Sequence, residues 1–302
     1  MLMKLIVLGS INVDSIYQVD RFPQPGETIS VKNKQTAPGG KGANQAVAAV
    51  RSGANVRFVG AVGNDSDGQR MVEILQKEGI ETENIQVDDQ NGTGSAVITL
   101  DASGQNDIMV YGGANQAMKE ADWDKVLCNG DFIVAQLETP QEVTLAAFKQ
   151  AKESGLVTVL NPAPATKLLP DLLAYTDIII PNETEAEKLT GISADNEDNL
   201  AKISATFAKE GVATTIITLG EAGVYYSTSR EKGSVSAFKV KAVDTTAAGD
   251  TFIGALISQL DPSLANIKTA ITYAQKASSI AVQKMGAMPS IPDGEEVNRA
   301  FR

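Results

Sequence analysis

The chain has 302 residues, with 37 acidic against 26 basic side chains, a formal net charge of −11, no histidine and one cysteine, Cys128. A field of that sign repels nucleic acid and anionic membrane surfaces, so neither is expected as a partner. The absence of histidine removes Ser-His-Asp and Cys-His catalysis and His-ligated metals, and a single cysteine closes no disulfide within the chain, which suits a reducing compartment.

The elements in chain order follow from apolar periodicity. The start, "MLMKLIVLGS", has no small-residue cleavage pattern behind an apolar core, and no apolar run reaches the roughly 18 residues of a membrane span, so a cytoplasmic setting is expected. Within it, "KLIVLGS" (4–10) predicts a strand. Residues 15–38 alternate polar and apolar and hold three prolines. "GANQAVAAVRSGA" (42–54) predicts a small-residue helix stopped by Gly53, and "VRFVGAVGND" (56–65) a strand. "DGQRMVEILQKEGI" (67–80) predicts an amphipathic helix stopped by Gly79. Residues 94–111 predict a hairpin that turns at "ASGQ". "DFIVAQ" (131–136), "TVLNP" (158–162), "DIIIPN" (177–182) and "TIITLG" (215–220) are further short apolar strands, each with a helical pattern nearby.

Apolar strands alternating with helices predict an α/β fold with a mostly parallel sheet covered on both faces, here as one domain over 1–302. Ligands in such sheets gather at the carboxyl ends of the strands, which makes Asn12, Asp14, Glu138, Asn182 and Thr218 candidates by position. The segments 15–38 and 94–111 interrupt the rhythm as insertions. They fit a small β-sheet lid over that cleft, or ordinary edge strands of the main sheet.

Two small-residue clusters stand out. "PGGKGANQA" (38–46) is no Walker A loop, because Gly42 and not Ser or Thr follows Lys41, and it does not fit G-x-G-x-x-G. Glycines before a helix allow close backbone approach, with Lys41 and Asn44 as donors; a plain turn and helix start fits equally. In "KVKAVDTTAAGDTFIGALI" (239–257), "VKAV" runs extended into Asp244 and "TFIGALISQL" predicts an apolar helix ending near Pro262. "TTAAGD" is then the turn at a helix N-terminus, where unpaired N–H groups attract anions. Ala247, Ala248 and Gly249 have no side chain that would block a phosphoryl group. Asp250 beside them is either a general base or the helix N-cap.

"DTTAAGDTF" and "PGGKGANQA" together resemble the two signatures of the ribokinase/PfkB sugar-kinase family. "GSINVD" (9–14), "QLETP" (136–140), "PNETEAE" (181–187), "TLGEAG" (218–223) and "KMGAMPSIP" (284–292) extend the likeness over essentially the whole chain in the family's order. "AAGD" and "GGKGAN" are similar to the members that act on ribose. The resemblance implies a ribokinase-like fold with a β-sheet lid, and ATP-dependent phosphorylation of D-ribose at O5. Asp250 would be the base, and the amides of Ala247, Ala248 and Gly249 the anion hole. Asn12, Asp14, Gly40, Lys41, Asn44 and Glu138 would hold the sugar. Asn182, Thr218, Gly220, Gly223 and Gly249 would border the nucleotide. Glu185 would act on Mg2+ with ATP through water, since magnesium keeps much of its hydration shell; Glu183 and Glu187 read as surface side chains. Ala274, Gln275 and Ser278 fall in the helix expected to border adenine. Asp244, Thr246, Ala281, Lys284, Gly286 and Ser290 would surround a K+ ion, mostly through carbonyls, with the Lys284 charge turned away. The lids of two copies would pair as a homodimer.

Overall fold

The computed structural model describes residues 3–103 and 105–300. In chain order the strands are β1 (Lys4–Leu8), β2 (Asn12–Gln18), β3 (Asn33–Gly39), β4 (Asn55–Gly63), β5 (Glu81–Asp88), β6 (Gly94–Leu100), β7 (Asn106–Tyr111), β8 (Phe132–Ala135), β9 (Val157–Leu160), β10 (Ile178–Ile179), β11 (Thr214–Thr218), β12 (Val224–Ser227) and β13 (Lys232–Val235). The helices are α1 (Lys41–Arg51), α2 (Ser66–Lys77), α3 (Ala114–Ala117), α4 (Trp123–Leu127), α5 (Gln141–Glu153), α6 (Glu183–Thr190), α7 (Glu197–Lys209), α8 (Ala248–Gln259), α9 (Ile267–Ala281) and α10 (Gly294–Arg299).

The main sheet has the order β13-β12-β11-β10-β9-β8-β1-β4-β5 and is parallel from β11 to β5. Both faces are covered, as the continuous apolar runs require. Along β1, Leu5 and Val7 join a core made with α1, α8 and α9, while Ile6 and Leu8 join one made with α4 and α5. A third core packs α6 and α7 on Ile179 and Ile217. Among the described residues, no helix is long and apolar enough to cross a membrane.

Three strands have no counterpart in the predicted elements. β5 is a parallel edge strand whose sequence, ETENIQVD, carries little apolar signal, while β12 and β13 are antiparallel additions at the other edge. The outermost strands β5 and β13 are only partly buried, so they carry little apolar signal, whereas β12 is buried through Val224, Tyr225 and Tyr226 but is only four residues long. Residues 240–243, "VKAV", expected to be extended, belong to no strand.

The two inserted segments pair into a separate four-stranded sheet, β3-β2-β6-β7, with β2–β3 and β6–β7 antiparallel and β2–β6 parallel. This resolves the choice between lid sheet and edge strands of the main sheet. The small sheet starts at Asn12, so Asn12 and Asp14 lie in β2 and not on the tail of β1. One residue of the "ASGQ" turn, Gly104, lies outside the described residues.

Helix α8 crosses α1 at close range. A Cβ on Gly254 would sit 2.3 Å from the Gln45 carbonyl oxygen and 2.6 Å from Ala48 Cβ, so the crossing requires glycine there. Ala46, Ala48 and Ala49 on α1 are fully or nearly fully buried in the same core. This contact brings the first turn of α1 against the first turn of α8, and it sets the site.

Candidate functional site

Strand order reverses between β1 and β8, since the chain leaves β1 toward β4 on one side and later builds β8 to β11 on the other. A crevice opens at the carboxyl ends of such a pair. Ser10, just past β1, donates its hydroxyl to Glu138 Oε2, just past β8. The same oxygen accepts the Lys41 N–H at 3.1 Å, and the Ser10 hydroxyl accepts the Gly42 N–H at 3.3 Å. Glu138 is thereby held against the start of α1, whose N-cap is Gly40 with φ +92°. Asn115 is buried and fixes the entry to β2. Its amide donates to Asn12 Oδ1 at 2.8 Å and to Ile11 O at 3.0 Å, and its oxygen accepts the Ile11 N–H at 2.9 Å. Asp14 faces β3 so closely that a Cβ on Gly39 would lie 2.2 Å from its carboxylate.

Asp250 stands in the first turn of α8. The N-cap of that helix is Ala247, so the capping alternative for Asp250 is set aside. Its carboxylate instead accepts the Asn44 side-chain N–H on Oδ2 at 3.0 Å and the Gln45 side-chain N–H on Oδ1 at 3.0 Å. Asn44 Oδ1 is buried with no partner, a polar atom ready for a ligand hydroxyl. Ala247 has φ +59° and ψ 12°, a left-handed conformation that costs a non-glycine residue on the order of 1 kcal/mol. A left-handed residue followed by right-handed ones turns successive N–H groups to one side as an anion-binding nest. Of the three expected amides, that of Ala248 donates to Thr245 O at 3.2 Å, which closes the turn. A Cβ on Gly249 would meet nothing within 4 Å. Packing therefore does not demand glycine there, and the open space above it is left for a ligand.

A cavity of about 200 Å³ joins this turn to the sheet edge; Lys41, Asn182, Glu185, Thr218, Ala247, Ala248, Gly249 and Asp250 all border it. Asn161 and Thr245 border it too. Asn182 and Glu185 form a capping box on α6, with the Glu185 N–H donating to Asn182 Oδ1 and the Asn182 N–H to Glu185 Oε2. Gly220 lies in a short 3-10 turn after β11. Gly223 (φ +106°) packs against residues 235–237, where a Cβ would be 2.1 Å from Val235 O, so its place is explained by the fold. In α9, Ala274 and Gln275 are buried, and the Ser278 hydroxyl donates to Ala248 O at 2.9 Å, tying that helix to the 247–249 turn.

Three carboxylates, Glu138, Glu185 and Asp250, act on one ammonium, Lys41, and Asp14 lies beside Glu138. Burial pushes Asp14 up to about 6, helped by the nearby Glu138 charge. Burial also pushes Asp250 up, opposed by Lys41 and by the amides of Asn44 and Gln45. Burial raises Glu185 against the pull of the Asn182 N–H and Lys41. Burial alone would lower Lys41, but Asp250, Glu138 and Glu185 outweigh it and hold it charged. A polyphosphate entering this field needs accompanying cations. Among the described residues no three acidic or cysteine side chains cluster tightly enough to hold a metal by themselves. Glu185 fits an ion held mainly by phosphate and water, because Oε1 remains open while Oε2 serves the cap.

Behind the turn, Asp244 ties two loops together. Its Oδ1 accepts the Thr246 N–H and hydroxyl at 2.9 and 2.6 Å, and its Oδ2 accepts the Gly286 N–H at 2.8 Å. Lys284 turns its ammonium toward α10, where it pairs with Glu296 at 2.8 Å. Ser290 is fully buried and donates its hydroxyl to Ala287 O. The carbonyls of Ala281 and Lys284 belong to the same turn, in which the Lys284 N–H donates to Ala281 O at 3.0 Å. Carboxylate and carbonyl oxygens are the donor type that suits a hard monovalent cation.

The positions that sequence reasoning missed are Ser10, Gln45, Asn115, Asn161 and Thr245. Gln45 had a visible signal, since it sits inside "GGKGANQA", but it reads as an ordinary helix residue until α8 is placed beside it. Thr245 likewise sits inside the quoted "TTAAGD", whereas Ser10 and Asn161 just past strands and Asn115 in α3 are single polar residues with no spacing to mark them.

A family model described as pfkB family carbohydrate kinase matches residues 3–294. The chain is 47% identical over 300 residues to the ribokinase of Staphylococcus aureus strain COL, covering 98% of this chain and 99% of that protein. It is 46% identical over 298 residues to the bifunctional ribokinase/ribose-5-phosphate isomerase A of Fructilactobacillus sanfranciscensis, over 97% of this chain. The chain spans about half of that longer protein, 55% of its length. The solved structure of Arabidopsis thaliana ribokinase complexed with ribose and ATP matches with a TM-score of 0.93 and 33% identity, over all of both chains.

Proposed function

This chain belongs to the pfkB family of carbohydrate kinases, and we propose that it transfers the γ-phosphoryl group of ATP to O5 of D-ribose. The observation that carries this reading is the buried Asp250, oriented by two side-chain amides and set beside the open nest at 247–249. The 47% identity to a ribokinase and the fold shared with a ribokinase holding ribose and ATP support the sugar and the donor.

In the proposed reaction Asp250 accepts the proton of the sugar O5 as that oxygen bonds to the γ-phosphorus. The bond from that phosphorus to the β-phosphate oxygen breaks, and ADP leaves with the electron pair. The amides of Ala247 and Gly249 face the charge on the transferring group, in a site where they need no reorganisation, while that of Ala248 closes the turn on Thr245 O. Lys41 adds a fixed positive charge. Asn12, Asp14, Gly40, Lys41, Asn44 and Glu138 hold the sugar hydroxyls, with Asn44 Oδ1 as an acceptor in waiting. Side chains built for a hydroxyl disfavour a sugar that lacks it, because they are then left unpaired. Asn182, Thr218, Gly220 and Gly249 border the nucleotide phosphates. Glu185 would hold Mg2+ with ATP through water, and the ion would supply the neutralising charge that the site's carboxylates make necessary.

Three further assignments belong to the same reading. The oxygens of Asp244, Thr246, Ala281, Lys284, Gly286 and Ser290 hold K+. The small sheet shields the sugar, and its edge strand β7 exposes Ile108, Met109, Val110 and Tyr111, an apolar edge that suits pairing with a second copy. The setting is cytoplasmic, in keeping with the lone cysteine.

The test is ADP release with Mg-ATP and D-ribose, 2-deoxyribose, fructose or adenosine. Ribose is expected to give the highest kcat/KM. A higher value for another acceptor would keep the phosphoryl transfer and discard ribose, and no turnover with any acceptor would discard the kinase reading.

A further inference from the structure

Gln45 is wholly buried and does not border the cavity, yet it touches the carboxylate that the cavity exposes. Neighbours in a helix point about 100° apart, so Asn44 and Gln45 reach the two oxygens of Asp250 only because one side chain is short and the other long. Both side-chain hydrogens of Gln45 are used, one on Asp250 Oδ1 at 3.0 Å and one on Asn161 Oδ1 at 3.1 Å. Its oxygen accepts the Gln136 amide at 2.7 Å. Asn161 in turn donates to Ile180 O at 2.9 Å. The chain of amides therefore links the ends of β8 and β9 and the residue after β10 to the first turn of α8.

The polarity of this chain has one consistent direction. An ionised carboxylate only accepts, so Gln45 must present its NH2 to Asp250. Asn161 must then present its oxygen to Gln45 and its NH2 to the Ile180 carbonyl. The oxygen left on Gln45 needs a donor, which Gln136 supplies. A buried polar network of this kind is costly unless its members are satisfied, and apolar residues of similar size would fill the space without that cost. Gln136 Oε1 stays without a partner, so the network is kept at some expense.

We propose that Gln45, gripped by Gln136 and Asn161, is a positioning residue that aims the Asp250 carboxylate at the acceptor hydroxyl and keeps it in the proton-accepting form. The inference rests on the kinase reading above for its consequence in turnover, while its geometric content stands without it. Asn44 cannot take over this role alone, because it borders the sugar region and its own oxygen awaits a ligand. The charged groups around Asp250 are Lys41 of α1, Glu138 beyond β8 and Glu185 of α6. None is changed by altering Gln45, so a change in Asp250 after Gln45→Met is attributable to the lost amide.

The experiment compares the full chain as wild type, Gln45→Met, Gln136→Met, Asp250→Asn and the Gln45→Met/Asp250→Asn double variant. Gln45→Met is expected to lower kcat about 10- to 100-fold, a part of the 10²–10⁴ that general base work supplies, with KM for ribose and ATP within about threefold of wild type. The acid limb of its kcat–pH profile moves to higher pH, because the carboxylate has lost a donor that favours its charged form. Gln136→Met, which leaves Asp250 untouched, shifts both quantities the same way by less, and it carries the test if Gln45→Met does not fold. In the Asp250→Asn background, Gln45→Met is expected to change kcat no further. A folded Gln45→Met with wild-type kcat and pH profile, or one that loses activity equally in both backgrounds, overturns the proposal. A 13C titration of the Asp250 carboxyl without substrate separates the two readings. If no acceptor turns over, the kinase reading fails, while an unchanged titration midpoint in Gln45→Met would sink the positioning role by itself.

Discussion

Asp244 and Asp250 stand six residues apart on either side of one turn, and their surroundings differ in every respect that matters to a carboxylate. Asp250 is 8% exposed and takes two side-chain amides that arrive from a different helix. Asp244 is partly exposed and takes its donors from Thr246, two residues on, and from Gly286. Burial wins at Asp250 and raises it; at Asp244 burial pushes the same way, but the Thr246 and Gly286 donors outweigh it and hold the group below its usual range. One group is poised to gain a proton and the other to keep its charge. Identical residue types in one short motif thus acquire a base-like and a clamp-like character from what the fold packs around them.

The most severe way to break the contrast is Asp250→Asn. We expect kcat to fall by about 10²–10⁴ with the sugar KM within a few-fold of wild type. A second readout comes from stability. The folded pKa of Asp250 lies above the unfolded one, so its contribution is fullest below about pH 3.9 and is lost as pH rises through the raised folded value. That component of the pH–stability curve, measured by urea melts, should vanish in the variant. Full activity in Asp250→Asn would end the base assignment.

Gly249→Ala separates ligand space from packing. The added Cβ meets no protein atom within 4 Å and the residue needs no left-handed φ. Stability should therefore stay equal or rise by about 0.5–1 kcal/mol, as for Gly to Ala in a helix. Turnover should fall at least about tenfold, because the methyl group occupies the room of the transferring phosphoryl group. A variant that is both stable and fully active would mean that nothing lies against this backbone.

Asp14 sharpens the comparison within the sugar side. It titrates at about 6, so it loses its charge just below neutral pH, where Asp244 keeps its own. A carboxylate that accepts from sugar hydroxyls binds them best when ionised. The ribose KM should be flat above pH 7 and rise as pH falls below 6, approaching about tenfold per unit. Asp14→Asn should raise KM at pH 8 and flatten the rise. A profile unchanged by that substitution would place the titrating group elsewhere.

The parallel sheet was legible because its strands are buried on both faces and read as unbroken apolar runs, as in "KLIVL" and "DFIVA". β5 was not, because an edge strand with one exposed face carries polar residues that mimic a loop. The two small-residue motifs marked the site because close backbone approach excludes large side chains. The residues that support them left no such mark. Gln45 and Asn161 become meaningful only when α1, α8 and β9 converge, a contact separated by more than 200 residues in the case of Gln45 and Asp250. Asn182 and Glu185 show the converse, since their N-x-x-E spacing is also the signature of a capping box, which the structure contains. Such a motif has a full local explanation before any ligand is considered.

The smallest expected effect concerns the cation assigned to the Asp244 loop. Oxygens that accept N–H donors can also face a cation, and Asp244 stays ionised across the working pH range because its donors depress it. Exchanging K+ for choline is expected to lower kcat a few-fold, at constant ionic strength, with the anion-hole turn loosened and not removed. Asp244→Asn keeps a polar side chain of the same size and discards the charge, so it should reach the choline value in either salt. The dependence on K+ should also be flat from pH 6 to 9, unlike the sugar KM, because Asp244, held below its usual range, keeps its charge there. A K+ response that survives in Asp244→Asn would leave Asp244 as a purely structural clamp between residues 246 and 286, and the difference between the two aspartates would then be one of catalysis against architecture alone.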